Sequence, residues 1–358
     1  MNPYSLRRSG VHAVHSVDRF VFSVPDLAQA TQFYSAFGLD VREHGQRLDL
    51  CTVGNDHVWA SVHGGAPAKR LEYVSFGIDA TDEAAMAERI ARLGLGCSPH
   101  PLSDGRGLWL RNPDGVALQL VVAPKVSPSR KAGPTAPAPT PRGQGAAPSR
   151  STVQTVHPRH LSHVLFFTPD VPRMVRFCSD VLGLRLSDRS GEIIAFMHSP
   201  HGSDHHLIAF AKSHAPGLHH SSWDVGSIDE VGRGSEQMRN AGFPAGWGVG
   251  RHVLGSNYFY YARDPWGSWA EFTHDIDFIP HDLDWPAADH PPEDSLYVWG
   301  PSLPEDFVTN HEQPLAAGGG GIAASIGGNS KSSGGGYANI TSGTMVLKGG
   351  NNITLQQD

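Results

Sequence analysis

Two histidines and a glutamate stand in matched places of an internal repeat, and that placement is the first chemical signal in the chain. The stretch DRFVFSVPDLAQATQFYSAFGL at 18–39 is echoed by SHVLFFTPDVPRMVRFCSDVLGL at 162–184. Residues 73–95 are echoed in the same way by 220–243, and 108–121 by 260–273. Aligning the two Pro-Asp turns sets His163 opposite Arg19. Aligning SWDV with SFGI sets His220 opposite Tyr73, and aligning Asp264-Pro265 with Asn112-Pro113 sets Glu271 opposite Gln119. A lone histidine in a strand is ordinarily a packing or surface residue. Three metal-ligand types in corresponding segments of one half, all absent from the other, are not scatter. Two imidazoles and one carboxylate leave coordination positions open for both a substrate and dioxygen. That suits Fe(II), with Mn(II) the nearest alternative. Zinc accepts similar ligands but has no redox chemistry.

The elements that must hold these residues follow from the same repeat. Each block reads as a strand, a Pro-Asp turn, a helix, a Gly-Leu pair and further strands. VLFFT is a short apolar strand, and Val171, Met174, Val175 and Cys178 then fall at helical spacing. The later strands are rich in Val, Phe, Tyr and Trp and break at Asp-Pro-Trp-Gly or Asn-Pro-Asp-Gly turns. The expected architecture is α+β, with βαβββ units, two per block, forming curved sheets that each enclose a cavity. The first module covers residues 1–124 and carries no metal ligands, and the second, catalytic module covers 159–284. Residues 125–158, rich in Pro, Ala, Gly and Ser, read as a linker. Residues 285–315 read as a segment closing over the second module. Residues 316–358 are a Gly/Ser/Asn-rich tail with a hairpin signal around Gly-Gly-Asn-Asn.

Composition narrows the function classes. The chain has 358 residues, enough for two ordinary domains and extensions. A formal net charge of -7 and the lack of a basic block argue against nucleic acid as a partner. No apolar run is long enough for a membrane span, and no secretory signal is visible at the N-terminus. Cys51, Cys97 and Cys178 are widely spaced, which suits a reducing cytoplasm rather than a disulfide framework. With 21 histidines present, only pattern can single out the few that do chemistry.

The pieces SHVLFFTPDV, DHHLIAF, GLHHSSWDV, GRHVLGSNYFYYARDPWG and SWAEF resemble the type I extradiol dioxygenases of the vicinal oxygen chelate superfamily. The resemblance runs over about residues 14–312 and is sharpest from 160 to 275. It implies two vicinal-oxygen-chelate barrel-like domains, with His163, His220 and Glu271 as the iron ligands. It further implies that His206 is the acid-base histidine and that His252 and Tyr261 touch the bound catechol. Those residue types suit the chemistry, because a catechol must lose protons and an imidazole near neutrality exchanges them. His205 and His206 are adjacent on an apparent strand, so only one is expected to face inward, and the resemblance selects His206.

The implied reaction is extradiol opening of a catechol by O2, giving a 2-hydroxymuconic semialdehyde-type product, in a homo-oligomer. Relatives acting on carboxylated catechols use arginines in the closing segment. Here Asp294-Ser295-Leu296-Tyr297-Val298 holds none, so a neutral or apolar-substituted catechol is expected, with Arg251 the one candidate exception. Two rival readings share the scaffold. One is a glyoxalase-like metal isomerase or transferase, and the other is a metal-free protein that binds a small molecule.

Overall fold

A computed structural model describes residues 7–136 and 139–313. The tail from 316 onward therefore lies outside the described residues, as does the end of the 285–315 segment. The first half runs β1 (Ser16–Ser23), α1 (Leu27–Ala36), β2 (Asp40–His44), β3 (Arg47–Cys51), β4 (Ala60–His63), β5 (Arg70–Ile78), α2 (Glu83–Arg92), β6 (Leu108–Arg111) and β7 (Ala117–Val122). The second half begins with β8 (His160–Thr168), α3 (Val171–Phe177), β9 (Arg185–Ser190), β10 (Ile194–His198), β11 (Ser203–Asp204) and β12 (Ile208–Lys212). It continues with β13 (Gly217–Asp224), α4 (Ile228–Asn240), β14 (Gly246–His252), β15 (Tyr258–Arg263) and β16 (Trp269–His274). Three short strands close it: β17 (Phe278–Ile279), β18 (Ala288–Asp289) and β19 (Tyr297–Trp299).

The Pro-Asp turns are helix starts. Asp26 accepts the N–H groups of Ala28 and Gln29 at 2.8 and 3.2 Å, and Asp170 accepts that of Arg173 at 2.9 Å. The Gly-Leu pairs are helix ends. Gly38 follows α1 and Gly183 follows the π-helical turn Cys178–Leu182 that continues α3; they take φ of 92° and 74°, the left-handed region that favours glycine. A Cβ on Gly38 would also lie 2.0 Å from the carbonyl oxygen of Val156.

The first sheet has the order β2-β3-β4-β1-β5-β7-β6, and the second β18-β9-β10-β12-β8-β13-β16-β15-β14-β19. The centres are equivalent. In each, the first strand runs parallel to one neighbour (β1 to β4, β8 to β12) and antiparallel to the other (β1 to β5, β8 to β13). The repeat is less regular than expected at one place. Residues 97–107 contain Pro99 and Pro101 and form turns, with only a Gly96–Leu110 bridge. The second unit of the first half thus lacks the strand that β14 supplies in the second half, because proline withholds ladder donors.

One apolar core runs through both halves. Phe37, just beyond α1, stacks on Phe272 of β16 with ring centroids 3.9 Å apart. Phe33 meets Phe243 edge-on at 5.0 Å. A buried ion pair joins Lys69 to Asp264 across the halves.

Candidate metal centre and its pocket

His163, His220 and Glu271 sit on β8, β13 and β16, three consecutive strands in the middle of the larger sheet. Register puts them on one face. Ser222 of β13 lies opposite both His163 and Glu271, and His220 is two residues before Ser222. Tyr261 of β15 lies directly opposite Glu271 and joins the same face. The first half repeats this register with other residues: Ser75 lies opposite both Arg19 and Gln119. Arg19 and Gln119 there line a polar cavity together with Asp18, Asp104 and Arg106. Among the described residues, His163, His220 and Glu271 form the one cluster able to hold a metal ion.

Glu271 Oε2 is 3.3 Å from His163 Nε2 and 3.5 Å from His220 Nε2. All three side chains are buried. His220 Nε2 and Glu271 Oε2 have no hydrogen-bond partner among the described residues. Buried polar atoms left without partners are costly, and three ligand atoms converging on one point fit a cation. The far side of each ligand is held. His163 Nδ1 lies 3.2 Å from Ser162 Oγ, which donates to Asp204 at 3.0 Å. His220 Nδ1 lies 2.7 Å from His219 Nδ1, and Asn257 donates to Glu271 Oε1 at 3.0 Å. Such bonds leave the Nε2 atoms and one carboxylate oxygen for the ion. Burial, aided by neighbouring imidazoles, pushes His220 well below the ordinary histidine range, towards the neutral form that ligates metal. Burial, then the Asp224 charge, pushes Asp204 up to about 7.

The remaining sequence-derived residues surround this point. His252 Nδ1 donates to the Leu296 carbonyl at 2.8 Å, so a neutral ring presents its Nε2 lone pair to the Tyr261 hydroxyl, 2.9 Å away. Burial lowers the His252 pKa, and burial together with the Glu271 charge raises that of Tyr261 well above its usual value. His206 packs its ring 4.0 Å from that of His163. Burial and the surrounding imidazoles push it well below the ordinary range.

Both His205 and His206 lie in the bend between β11 and β12, where the strand alternation expected of them does not apply, and both are buried, with their Nδ1 atoms 3.1 Å apart; of the two, His206 is the one that lines the pocket. Asn257, Asp188, Ser162 and His219 were not singled out from sequence. Their only sequence signal is adjacency of Ser162 and His219 to a ligand; Asn257 and Asp188 carry none.

A pocket reaches this cluster, with about 850 Å³ of empty space when the solvent at its mouth is included. Apart from the histidines and Tyr261 its walls are mostly apolar, among them Leu165, Ile194, Phe196, Leu254 and Phe307. Pro292, Ser295, Leu296, Phe307 and Val308 of the 285–313 segment form part of that wall. Arg251 does not line the pocket. It donates to the Ser256 carbonyl and the Tyr258 hydroxyl, both at 3.1 Å, and lies over the Tyr258 ring. Lys212, exposed, is the one ammonium or guanidinium group among the described lining residues. No helix among the described residues is long and apolar enough to cross a membrane.

Comparison with known proteins follows the same outline. Residues 160–272 match the Glyoxalase/Bleomycin resistance protein/Dioxygenase superfamily. The chain is 50% identical over 302 residues to metapyrocatechase 2 of Cupriavidus necator, covering 84% of this chain and 93% of that protein. An extradiol ring-cleaving dioxygenase from B. fuscum superposes with a TM-score of 0.66 at 19% identity, over 88% of this chain and 87% of that one. A Mn(II)-bound glyoxalase from Novosphingobium aromaticivorans superposes with a TM-score of 0.63 at 24% identity, over 81% and 92%. At these identities the two solved structures speak to the fold alone.

Proposed function

The chain belongs to the extradiol dioxygenases of the glyoxalase/bleomycin resistance/dioxygenase superfamily, and from that premise we propose that it opens neutral catechols, unsubstituted or bearing an apolar group, with O2 at an Fe(II) site formed by His163, His220 and Glu271. The observation that carries this reading is the convergence of Glu271 Oε2 and two Nε2 atoms, 3.3 and 3.5 Å away, at the end of a largely apolar pocket. Mn(II) fits the same donor set. Bound there, Fe(II) supplies the redox-active centre that lets a spin-paired aromatic diol react with dioxygen.

The chain's own groups do the rest. The apolar walls orient the ring and its substituent and keep water from the reacting edge. His206 takes a catechol proton at Nε2 and returns it later in the reaction. The Tyr261 hydroxyl donates to His252 Nε2 over 2.9 Å and can turn that one hydrogen toward a substrate oxygen as negative charge develops on it, while His252 holds the phenol in place. The ring-opened product is a 2-hydroxymuconic semialdehyde or its substituted analogue. An isomerase or thiol transferase on this scaffold, and a metal-free binding protein, are the alternatives. The 50% identity to a metapyrocatechase over nearly its whole length favours the dioxygenase.

The neutral-substrate preference rests on the lining. Arg251 is engaged elsewhere, and Lys212 stands in solvent, so a carboxylate deeper in the pocket would lose its hydration without a cationic partner. O2 uptake by the Fe(II)-loaded protein on a catechol panel tests it. Catechol and 3-methylcatechol should exceed ring-carboxylated catechols in kcat/KM by at least about tenfold, or roughly 1.4 kcal/mol. Faster turnover of the carboxylated compounds would reverse the assignment. We further infer a homo-oligomeric, cytoplasmic enzyme of small molecules, a reading supported by the three free cysteines for the compartment and by the family for the assembly.

A further inference from the structure

The polar cavity of the first half stands where the metal centre stands in the second, and the reaction above does not use it. Its walls carry Asp18, Arg19 and Ser75, at the places of Ser162, His163 and Ser222. Both halves keep the same irregularity in their first strand. Val17 and Arg19 pair with successive residues of β5 and leave Asp18 over, just as Leu161 and His163 pair with successive residues of β13 and leave Ser162 over. Such a bulge re-aims a side chain. Neighbours on a regular strand face opposite sides, yet Asp18 and Arg19 both line the cavity.

One wall is a turn held in place by the sheet. Gln119, at the place of Glu271, donates to the Arg106 carbonyl at 3.0 Å, and the Trp109 indole donates to the same oxygen at 2.9 Å. Gly107 takes φ of 74°, and a Cβ there would lie 2.3 Å from the Leu120 carbonyl oxygen, so the turn runs tight against β7. It brings Asp104 and Arg106 to a cavity with about 740 Å³ of empty space, solvent at its mouth included.

The charges on the wall are unevenly matched. Arg47 pairs with Asp49 at 3.0 Å and Arg106 with Asp104 at 2.7 Å. Arg19, half-buried, makes no hydrogen bond or ion pair with a described residue, and the Asp18 carboxyl group forms no ion pair with one. Burial raises the Asp18 pKa, and in either protonation state the group keeps an accepting oxygen. Ser75 Oγ is buried without a hydrogen bond of normal geometry, although Asp18 lies near enough to sense it, and Arg47 Nε is buried with no partner. Buried polar groups are ordinarily paired. A guanidinium and a carboxyl group without ion-pair partners, side by side, call for a ligand that accepts at one point and donates beside it.

We propose that this cavity is a second ligand site, separate from the metal centre, for a small carboxylate that carries a hydrogen-bond donor, ammonium or hydroxyl, on the adjacent carbon. Arg19 takes the carboxylate through its planar fork. An Asp18 oxygen accepts from the neighbouring donor, and Ser75, directly across the sheet from Arg19, turns its hydroxyl to the carboxylate. Amino acids and 2-hydroxy acids share this chemistry.

Anaerobic titration calorimetry on the Fe(II)-loaded full chain tests the site, with L-alanine and L-lactate as probes. At least one should bind, once per chain, with a Kd on the order of 1 mM. Propionate lacks the donor and alaninamide lacks the carboxylate, so each should bind at least about tenfold more weakly. Tighter alanine would mark the site for amino acids, and tighter lactate for hydroxy acids. Arg19→Gln should weaken the better probe by about tenfold or more at an unchanged urea midpoint. Asp18→Ala should erase its advantage over propionate. His220→Ala should bind it as the wild type does, whereas chelation at the iron would be lost there. No heat from either probe at roughly 10 mM, equal binding of propionate, an unchanged Kd in Arg19→Gln, or binding abolished in His220→Ala would overturn the proposal.

Discussion

At the residue scale the site is a set of nitrogens and oxygens whose hydrogens are already assigned by their outer partners. Leu296 fixes His252, Asn257 occupies one oxygen of Glu271, and Ser162 holds the outer nitrogen of His163. Tyr261 is the group whose removal is easiest to interpret, because Tyr261→Phe deletes one hydroxyl and keeps the ring that stacks near Trp247 at 5.4 Å. We expect kcat to fall by 10- to 100-fold, about 1.4–2.7 kcal/mol, with iron content unchanged. Measured iron loss would mean that the hydroxyl serves the ligand shell instead. The cluster of His163, His220 and Glu271 was legible in the sequence because the repeat supplies its own control: Arg19, Tyr73 and Gln119 occupy the matching places of the other half. Asp188 and Asn257 were not legible. Their contacts arise from chain segments that approach only in the folded molecule: Asp188 meets Ala288 and Trp285 about a hundred positions away.

At the element scale, the strands were legible through apolar runs and turn residues, and the helices through their Pro-Asp and Gly-Leu ends. Two local features were not. The bend that buries both His205 and His206 lies between β11 and β12, where nothing in DHHLIAF marks the interruption. The missing strand at 97–107 follows from Pro99 and Pro101, whose effect on the repeat is visible only by comparison with β14. Packing between the halves includes direct aromatic contacts. Phe37 is fully buried, and its face-to-face contact with Phe272 ties α1 to the strand that bears Glu271. Phe37→Ala should destabilise the chain by about 3–5 kcal/mol, combining lost burial with a cavity. Urea unfolding followed by tryptophan fluorescence measures this. A loss under about 1 kcal/mol would show that the halves stand independently of this contact.

At the scale of the whole molecule, the number of buried neutral histidines sets the response to acid. Burial holds His15 at about 4, His198 at about 3 and His201 at about 4. His15 bonds Ser16, His201 Nδ1 accepts the N–H of Arg8, and His198 is paired with Ser187. Each has a folded pKa below its unfolded value of 6.5, so the unfolded chain binds more protons between the two. Their contribution is fully present above pH 6.5 and is lost as pH falls from there to about 3. The unfolding free energy should fall by up to roughly 1.4 kcal/mol per pH unit for each histidine. Urea titrations at pH 7.5 and 5.5 would detect it. A flat profile would mean that these rings titrate in the folded protein as they do in the unfolded chain.

The central claim is that His163, His220 and Glu271 hold the metal at which a catechol ring opens. The most direct test loads wild-type and His220→Ala protein anaerobically with Fe(II), adds catechol in air, and follows O2 uptake together with the yellow ring-fission product. Equal consumption of O2 and formation of coloured product in the wild type, with neither in His220→Ala, is the predicted result. Iron-loaded wild type that leaves catechol and 3-methylcatechol unchanged, or a His220→Ala protein that opens the ring as fast, would contradict it.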